Sequence, residues 1–321
     1  MRSKRQEAKM RAALKAAELY YLQSCTMETI AADLDISRSS VSRLLQFARD
    51  TGLVDIRVNS PFERAGLLEE KLRDRFKIAA HVVSMPEGTT DVERMERVAL
   101  VAGPLISQFI ESNMVVGVAW GSTIGTVSRM LTPKETQGST IVQLNGAGNT
   151  RTSGVDYSSE ILQRFGTAYG AQVEQFPVPT FFDDPATREA MWRERSTRWI
   201  LAIQDKMDVA VFSVGSPAAE VPSRVHAGGY LNRDDYASLR QDGVIGDVAT
   251  VFFRADGSWK DVQLNSRATG PGMDRLRRVP RRVCVVTGQA KLHGLRAATG
   301  AGIPTDIVLD ESLARGLLEF R

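Results

Sequence analysis

Six polar residues on one short segment have the types needed to read a nucleic-acid groove: Arg38, Ser39, Ser40, Ser42, Arg43 and Gln46. An arginine can fork onto guanine, a glutamine amide onto adenine, and hydroxyls can hold phosphate oxygens. These residues share a face only if the segment is a helix beginning at Arg38. Ser37 is a good N-cap for that start. Val41, Leu44, Leu45 and Ala48 recur at helical spacing and give the inward face, and Gly52 stands where a C-cap glycine ends a helix. Upstream, Thr26 is placed to cap a shorter helix whose apolar residues are Ile30, Ala31 and Leu34. Asp35 then supplies a turn, since Asp tolerates left-handed backbone. Two capped helices joined by a tight turn predict a DNA-binding helix-turn-helix. Residues 53–58 (LVDIRV) alternate like a strand and predict a wing beside it.

A second set of residues could anchor a small polar ligand. Gly121, Ser122 and Thr123 follow the apolar run 114–120 (MVVGVAW) and open a helix. A glycine there lets the backbone approach an anion, the hydroxyls donate, and the helix start offers free amides. No Gly-Lys-Ser/Thr follows, so this is not a Walker A loop, and it is not a GxGxxG loop. Asn145, Gly146 and Ala147 leave the next strand in the same manner, Asp247 ends a glycine-framed bend at 243–247, and Lys291 follows Gly288 at a helix start. Hydroxyls, amides and Lys291 would hold a phosphate, and Asp247 and Asn145 would bind sugar hydroxyls. The same donors hold sugar hydroxyls equally well, so an unphosphorylated ligand stays open.

The elements that must position these groups fall into two domains. Residues 4–22 form a basic amphipathic helix with Met10, Ala13, Leu14, Ala17, Tyr20 and Tyr21 on its buried side. Asn59-Ser60-Pro61 is a turn signal and the domain boundary, which gives a DNA-binding domain at 1–60 and an effector-binding and oligomerisation domain at 61–321, with a connecting helix at 61–77. Thereafter short β-branched strands alternate with helices, including a long helix at 187–206 and a buried strand at 208–214. That alternation predicts a doubly wound, mostly parallel α/β sheet covered on both faces. Such sheets bind ligands outside the carboxyl ends of their strands.

Composition narrows the class. The 43% hydrophobic and 25% charged content is that of a water-soluble globular chain. No apolar run approaches the roughly 20 residues that span a bilayer, and no apolar segment follows the basic N-terminus as in a signal peptide. A cytoplasmic protein with no membrane partner is expected. Cys25 and Cys284 form no CxxC pair, and His81, His226 and His293 are scattered, so neither a metal nor another cofactor is expected. Up to Ser60 ten basic residues face seven acidic ones, which accounts for the whole chain's net charge of +3. The excess lies in the segment expected to meet phosphates.

The stretches METIAADLDISRSSVSRLLQFARDTGLVDIRV, VVGVAWGSTIG, IVQLNGAGN, GVIGDVATVFF, VVTGQAKLHGLRAA and TDIVLDESLARGLL cover both domains in order. On them the chain resembles the SorC family of bacterial sugar-responsive transcription regulators. The resemblance implies a helix-turn-helix followed by an effector domain of the glucosamine-6-phosphate deaminase/ribose-5-phosphate isomerase-like fold. It implies a phosphorylated sugar or polyol as effector, operator DNA as partner and a homotetramer as the working form. Carried over by motif, the phosphate loop is Gly121, Ser122 and Thr123. The second loop is Asn145, Gly146 and Ala147, and Asp247 and Lys291 complete the site. Asp35 and Gln289 depart from the pattern, each standing where a glycine is common. The fold also admits a second reading, a sugar-phosphate isomerase or deaminase carrying a DNA-binding domain, with Asp247 as base. Enolisation needs a further acid/base group, and in the sequence only His293 falls near these loops. A regulator that is not an enzyme is therefore the expectation.

Overall fold

The computed structural model describes residues 2–54, 61–216 and 224–319. The chain divides into two compact units, Met1–Ser60 and Pro61–Arg321.

The first unit comprises α1 (Arg2–Ala17), continued by a π-helical turn at Glu18–Leu22, then α2 (Met27–Asp33) and α3 (Arg38–Asp50). The hydroxyls of Thr26 and Ser37 accept the amides of Thr29 and Ser40, each at 3.2 Å, so both helices start at their hydroxyl caps. After α2 the backbone of Asp35 is left-handed, with φ +49°. The Asp35 and Ile36 amides donate back to the carbonyls of Ala32 and Ala31 at 3.4 and 3.0 Å. This is the Schellman closure with aspartate in the place of glycine. Ile30, Val41, Leu45 and Ala48 pack against Ala13, Ala16, Ala17 and Leu19. The buried side of the first helix is thus rotated from expectation: Met10 and Leu14 are 39% and 43% exposed. Alanines at i, i+3 and i+4 let α3 approach closely, and the wider π turn shifts the phase of the residues after Ala17. Leu53 and Val54 pack against this core; the rest of the expected wing, 55–58, lies outside the described residues.

In the second unit, α4 (Pro61–Phe76), expected as a connector, belongs to the core: Leu68 and Leu72 are buried in it. There follow β1 (Ala79–Val83), α5 (Asp91–Phe109), β2 (Val115–Val118), α6 (Ser122–Ser128), β3 (Thr140–Gln143), α7 (Val155–Tyr169) and β4 (Gln172–Glu174). Next come α8 (Pro185–Arg193), α9 (Arg195–Gln204), β5 (Val209–Phe212), β6 (Val214–Gly215), α10 (Arg224–Ala227), α11 (Arg233–Gln241), β7 (Val244–Val248) and β8 (Val251–Arg254). The chain ends with α12 (Met273–Arg278), β9 (Arg281–Val286), α13 (Leu292–Gly300), β10 (Asp306–Asp310) and α14 (Glu311–Glu319).

Among the described residues seven strands form one sheet in the order β1-β10-β9-β5-β2-β3-β4. Every pairing in it is parallel. Successive strand residues feed opposite cores. Val209, Val211, Val283 and Val285 meet buried residues of α5, α6 and α7, while Ala210, Phe212, Cys284 and Val286 meet those of α4, α13 and α14. Burial on both faces explains why the strands read as unbroken apolar runs. The long helix expected at 187–206 is two helices, broken where Glu194 is extended. The break leaves Trp192 packed on Phe176 and Phe182. The strand expected at 208–214 is likewise split. After Ser213 the chain leaves the parallel sheet, and β6 begins a separate antiparallel sheet, β6-β7-β8.

Cys284 lies wholly inside the sheet, and burial pushes its thiol up to about 12. Cys25 is only half-buried. Iodoacetamide at neutral pH is expected to alkylate Cys25 and spare Cys284 until the chain is denatured, as read by peptide mass spectrometry. Equal labelling of both in the folded protein would contradict this placement.

Candidate functional site

From β2 the sheet continues outward to β3 and β4, whereas from β5 it continues the other way to β9 and β10. The connections leaving the carboxyl ends of β2 and β5 therefore diverge, and a crevice opens between them, as at the switch point of any doubly wound sheet. It is a partly open recess walled by the segments that follow several of the strands. The sequence-predicted residues Gly121, Ser122, Thr123, Asn145, Asp247 and Lys291 all line it.

Each is delivered by a strand end. Gly121 caps α6 with the positive φ of +155°, which a side chain would resist. Lys291 ends a 3-10 turn after Gly288, and its Nζ stands 3.4 Å from Thr123 Oγ1. Burial pushes its ammonium below the ordinary lysine range, against the opposing pull of Asp247 and Asp91. Asp247 does not sit in a bend, as expected from its glycines, but on β7, paired with Gly215 of β6 and Phe252 of β8. Gly246 serves the packing of that strand: a side chain there would meet the Gly215 carbonyl and the Phe253 ring. Asp247 Oδ2 accepts the Thr250 amide at 3.2 Å, while Oδ1 is buried with no hydrogen-bond partner. A Cβ on Gly215 would fall 2.0 Å from that Oδ1, so glycine is what admits the carboxylate. Asn145 Oδ1 is a second buried acceptor without a partner.

Gly146 and Ala147 are the exceptions. Neither lines the crevice, and both have backbone groups engaged within the protein. The Gly146 amide donates to Thr269 Oγ1 at 3.0 Å, and its carbonyl accepts Trp120 Nε1 and the Thr180 hydroxyl. Its missing side chain makes room for the carbonyls of Val178 and Pro179. The Ala147 carbonyl accepts the Tyr230 hydroxyl at 3.2 Å. The glycine read as a ligand loop is a packing requirement.

The structure adds residues that sequence reasoning misses. Trp120 closes one side, stacked on Tyr230 with centroids 5.2 Å apart. Asp91, at the start of α5, lines the crevice and leans on Arg94, Nε to Oδ1 3.4 Å. Ala249 and Thr250 form the two-residue turn between β7 and β8, both at positive φ, +46° and +69°. Glycine or asparagine normally occupies such a turn, and a β-branched residue there is strained. The sequence places only His293 near these loops, yet His293 is exposed and away from the crevice. His226 of α10 is instead buried with its Nε2 3.6 Å from Asp247 Oδ1, and neither ring nitrogen has a hydrogen-bond partner. No local motif announces His226, because its neighbour is contributed by a strand twenty-one positions away in the sequence.

The six groove-reading candidates lie on α3. Arg38, Ser39, Ser42, Arg43 and Gln46 are exposed. Ser40 is half-buried, with its hydroxyl 2.9 Å from the capping Ser37 hydroxyl, so it is turned into the cap. Arg38 pairs with Glu28 at 3.0 Å, both exposed. Gln46 donates to Asp50 at 2.7 Å and accepts from Arg49 at 2.6 Å. Among the described residues no helix is long and apolar enough to cross a membrane, and no cluster of three or more His, Cys, Asp or Glu side chains is placed to hold a metal ion.

Fold and crevice together define an α/β domain with a polar crevice at the switch point of its sheet. The model of the family described as "Putative sugar-binding domain" matches residues 60–319, and the chain belongs to this family, that of the SorC-type transcriptional regulators. It is 30% identical to the deoxyribonucleoside regulator of Bacillus subtilis (strain 168), over 97% of this chain and 98% of the relative. A domain of a possible sugar-binding transcriptional regulator from Arthrobacter aurescens TC1 is 49% identical with a TM-score of 0.76, covering 81% of this chain and 100% of that one. The full-length sorbitol operon regulator SorC from Klebsiella pneumoniae, at 22% identity, shares the fold with a TM-score of 0.73 over 97% of this chain and 99% of its own.

Gly215→Ala is expected to displace the Asp247 carboxylate and lower the melting temperature, with a cost of about 1–3 kcal/mol for overpacking. An unchanged melting temperature by calorimetry would contradict the close approach of Asp247 to Gly215.

Proposed function

We propose that the protein is a DNA-binding transcriptional regulator whose operator affinity is set by a phosphorylated sugar or polyol bound in the crevice. The observation that carries this reading is the meeting, in one enclosed site, of a buried ammonium with two buried acceptors that lack partners, Asn145 Oδ1 and Asp247 Oδ1. An unsatisfied buried acceptor costs about 1–3 kcal/mol, more when charged, and ligand hydroxyls donating to both relieve that cost. Ser122, Thr123, the first amides of α6 and Lys291 then take the phosphate. A ligand with hydroxyls at one end and an anion at the other fits this division. The relatives' names, with their deoxyribonucleoside and sorbitol systems, support a small carbohydrate-derived effector.

The isomerase or deaminase reading gains an acid/base partner in His226, but that imidazole does not line the crevice and its nitrogens are sealed by protein. Sugar-phosphate turnover abolished by Asp247→Asn would restore it.

Operator binding is assigned to Arg38, Ser39, Ser42, Arg43 and Gln46, with Ser40 holding the helix start. The Arg38–Glu28 and Gln46–Asp50 contacts are exposed and weak, so DNA can replace them at small cost. A homotetramer would present several such heads to one operator inside the cytoplasm, and the effector would bias their arrangement. Linkage then requires the operator to change effector affinity by the same factor.

Three outcomes are expected. A thermal-shift screen of sugar phosphates, polyol phosphates and their unphosphorylated forms against the full chain should give a phosphorylated hit, lost in Lys291→Ala and weakened in Asp247→Asn. A hit confined to unphosphorylated compounds would overturn the phosphate assignment. Arg43→Ala should weaken operator binding by about 1–3 kcal/mol if Arg43 forks onto a base; unchanged affinity and preference in a mobility-shift titration would remove it from the reading face. Because burial lowers the Lys291 pKa, the free site loses its positive charge as pH rises through that lowered value. Phosphate affinity should therefore fall on the alkaline side while binding takes up protons, as calorimetry in buffers of different ionisation enthalpy would detect. A flat profile there would contradict the role of Lys291.

A further inference from the structure

A second recess lies in the same unit, between α8, α12 and the segment that precedes α12. Arg188, Trp192, Thr269, Gly270, Gly272 and Arg275 line it. Its charged lining is two guanidinium groups with no carboxylate. The Arg188 side chain lies over the Trp192 ring at 4.7 Å, and its Nε is buried without a hydrogen-bond partner. Arg275 gives its Nε to Asp205 at 2.9 Å, and Asp205 is half exposed on α9's C-terminal side. Burial pushes the Arg188 guanidinium below its ordinary range; the Glu189 carboxylate opposes this, and the charge of Arg275 adds a smaller push in the same direction as burial. A buried guanidinium N–H without an acceptor is costly, and like charges beside it add to the cost. Folding has nevertheless placed both arginines against one recess.

The backbones of Gly270, which lines this recess, and Ala249, which lines the effector crevice, lie against one another. A Cβ on Gly270 would fall 1.8 Å from the Ala249 carbonyl oxygen. No side chain could occupy that contact, and none of the residues around the second recess belongs to the first.

We propose that this recess is a second anion site, distinct from the effector crevice, taking phosphate or a phosphoryl group between Arg188 and Arg275. A guanidinium presents paired donors that match two oxygens of a phosphate, and its stacking on an indole leaves that fork free to point inward. An oxyanion there would accept from the terminal guanidinium N–H groups and offset the charge of the two arginines. Lysines could not serve in the same way, because their point charges offer no planar fork over Trp192.

The test is calorimetric titration of the full chain with inorganic phosphate at constant ionic strength, with chloride as the control anion. Because the effector crevice also bears a cation, each measurement is repeated in Lys291→Ala, which removes that contribution. Phosphate is expected to bind the Lys291→Ala protein, and Arg188→Met, which keeps an apolar stem over Trp192, is expected to weaken that binding at least about ten-fold, the effect of losing one charge-assisted contact. Arg188→Lys should recover only part of it. If Arg188→Met does not fold, Arg275→Gln gives the same reading from the opposite wall. The proposal is overturned if Lys291→Ala alone abolishes phosphate binding, if chloride matches phosphate, or if the arginine variants bind phosphate as tightly as the parent. A failure of the effector assignment leaves these outcomes unchanged, since Lys291 is absent from the deciding measurements.

Discussion

The crevice depends on one buried carboxylate held by only half of its hydrogen-bonding capacity. Asp247 reaches its position because Gly215 has no side chain to exclude it, and it keeps its orientation because the Thr250 amide holds Oδ2. That amide points correctly only because Ala249 and Thr250 accept left-handed backbone. Strain of this kind persists only where the surroundings over-determine it, and here the surroundings are β7 and β8 on one side and the Gly270 backbone on the other. The remaining oxygen, Oδ1, faces His226 across 3.6 Å, too far for a hydrogen bond. The structure thus spends folding stability to keep an acceptor unsatisfied beside Lys291, and a ligand with hydroxyls would recover it.

Much of this is legible in the sequence, for reasons that differ by element. Helix starts are readable because the capping groups are local: Thr26 and Ser37 bond to amides three residues on. The left-handed turn at Asp35 follows from residue type alone. The parallel sheet is legible because both of its faces are buried, and such strands leave continuous apolar runs. The crevice-lining segments at Gly121 and Lys291 can be found because each follows an apolar strand and contains a glycine.

The failures share a cause, which is that distant contacts set the outcome. Residues 243–247 read as a glycine-framed bend, but pairing with β6 and β8 makes them a strand, and the glycine that matters for the carboxylate is Gly215 rather than Gly246. Gly146 reads as a ligand contact because a glycine after a strand has two uses that sequence cannot separate; the carbonyls of Val178 and Pro179 claim its space. His226 escapes a reading of the sequence because it lies on a four-residue helix with no motif. Met10 and Leu14 belong to the core by hydrophobicity alone, yet the tighter fit of three alanines against α3 turns them outward.

The central claim is that effector and operator act on one another through this chain. It is tested most directly by measuring operator affinity with and without saturating effector, and effector affinity with and without operator, in the full chain and in Lys291→Ala. The account predicts that the two ratios are equal, as linkage requires, and that Lys291→Ala still binds operator but no longer responds to the effector. An operator affinity that ignores a bound effector would contradict it.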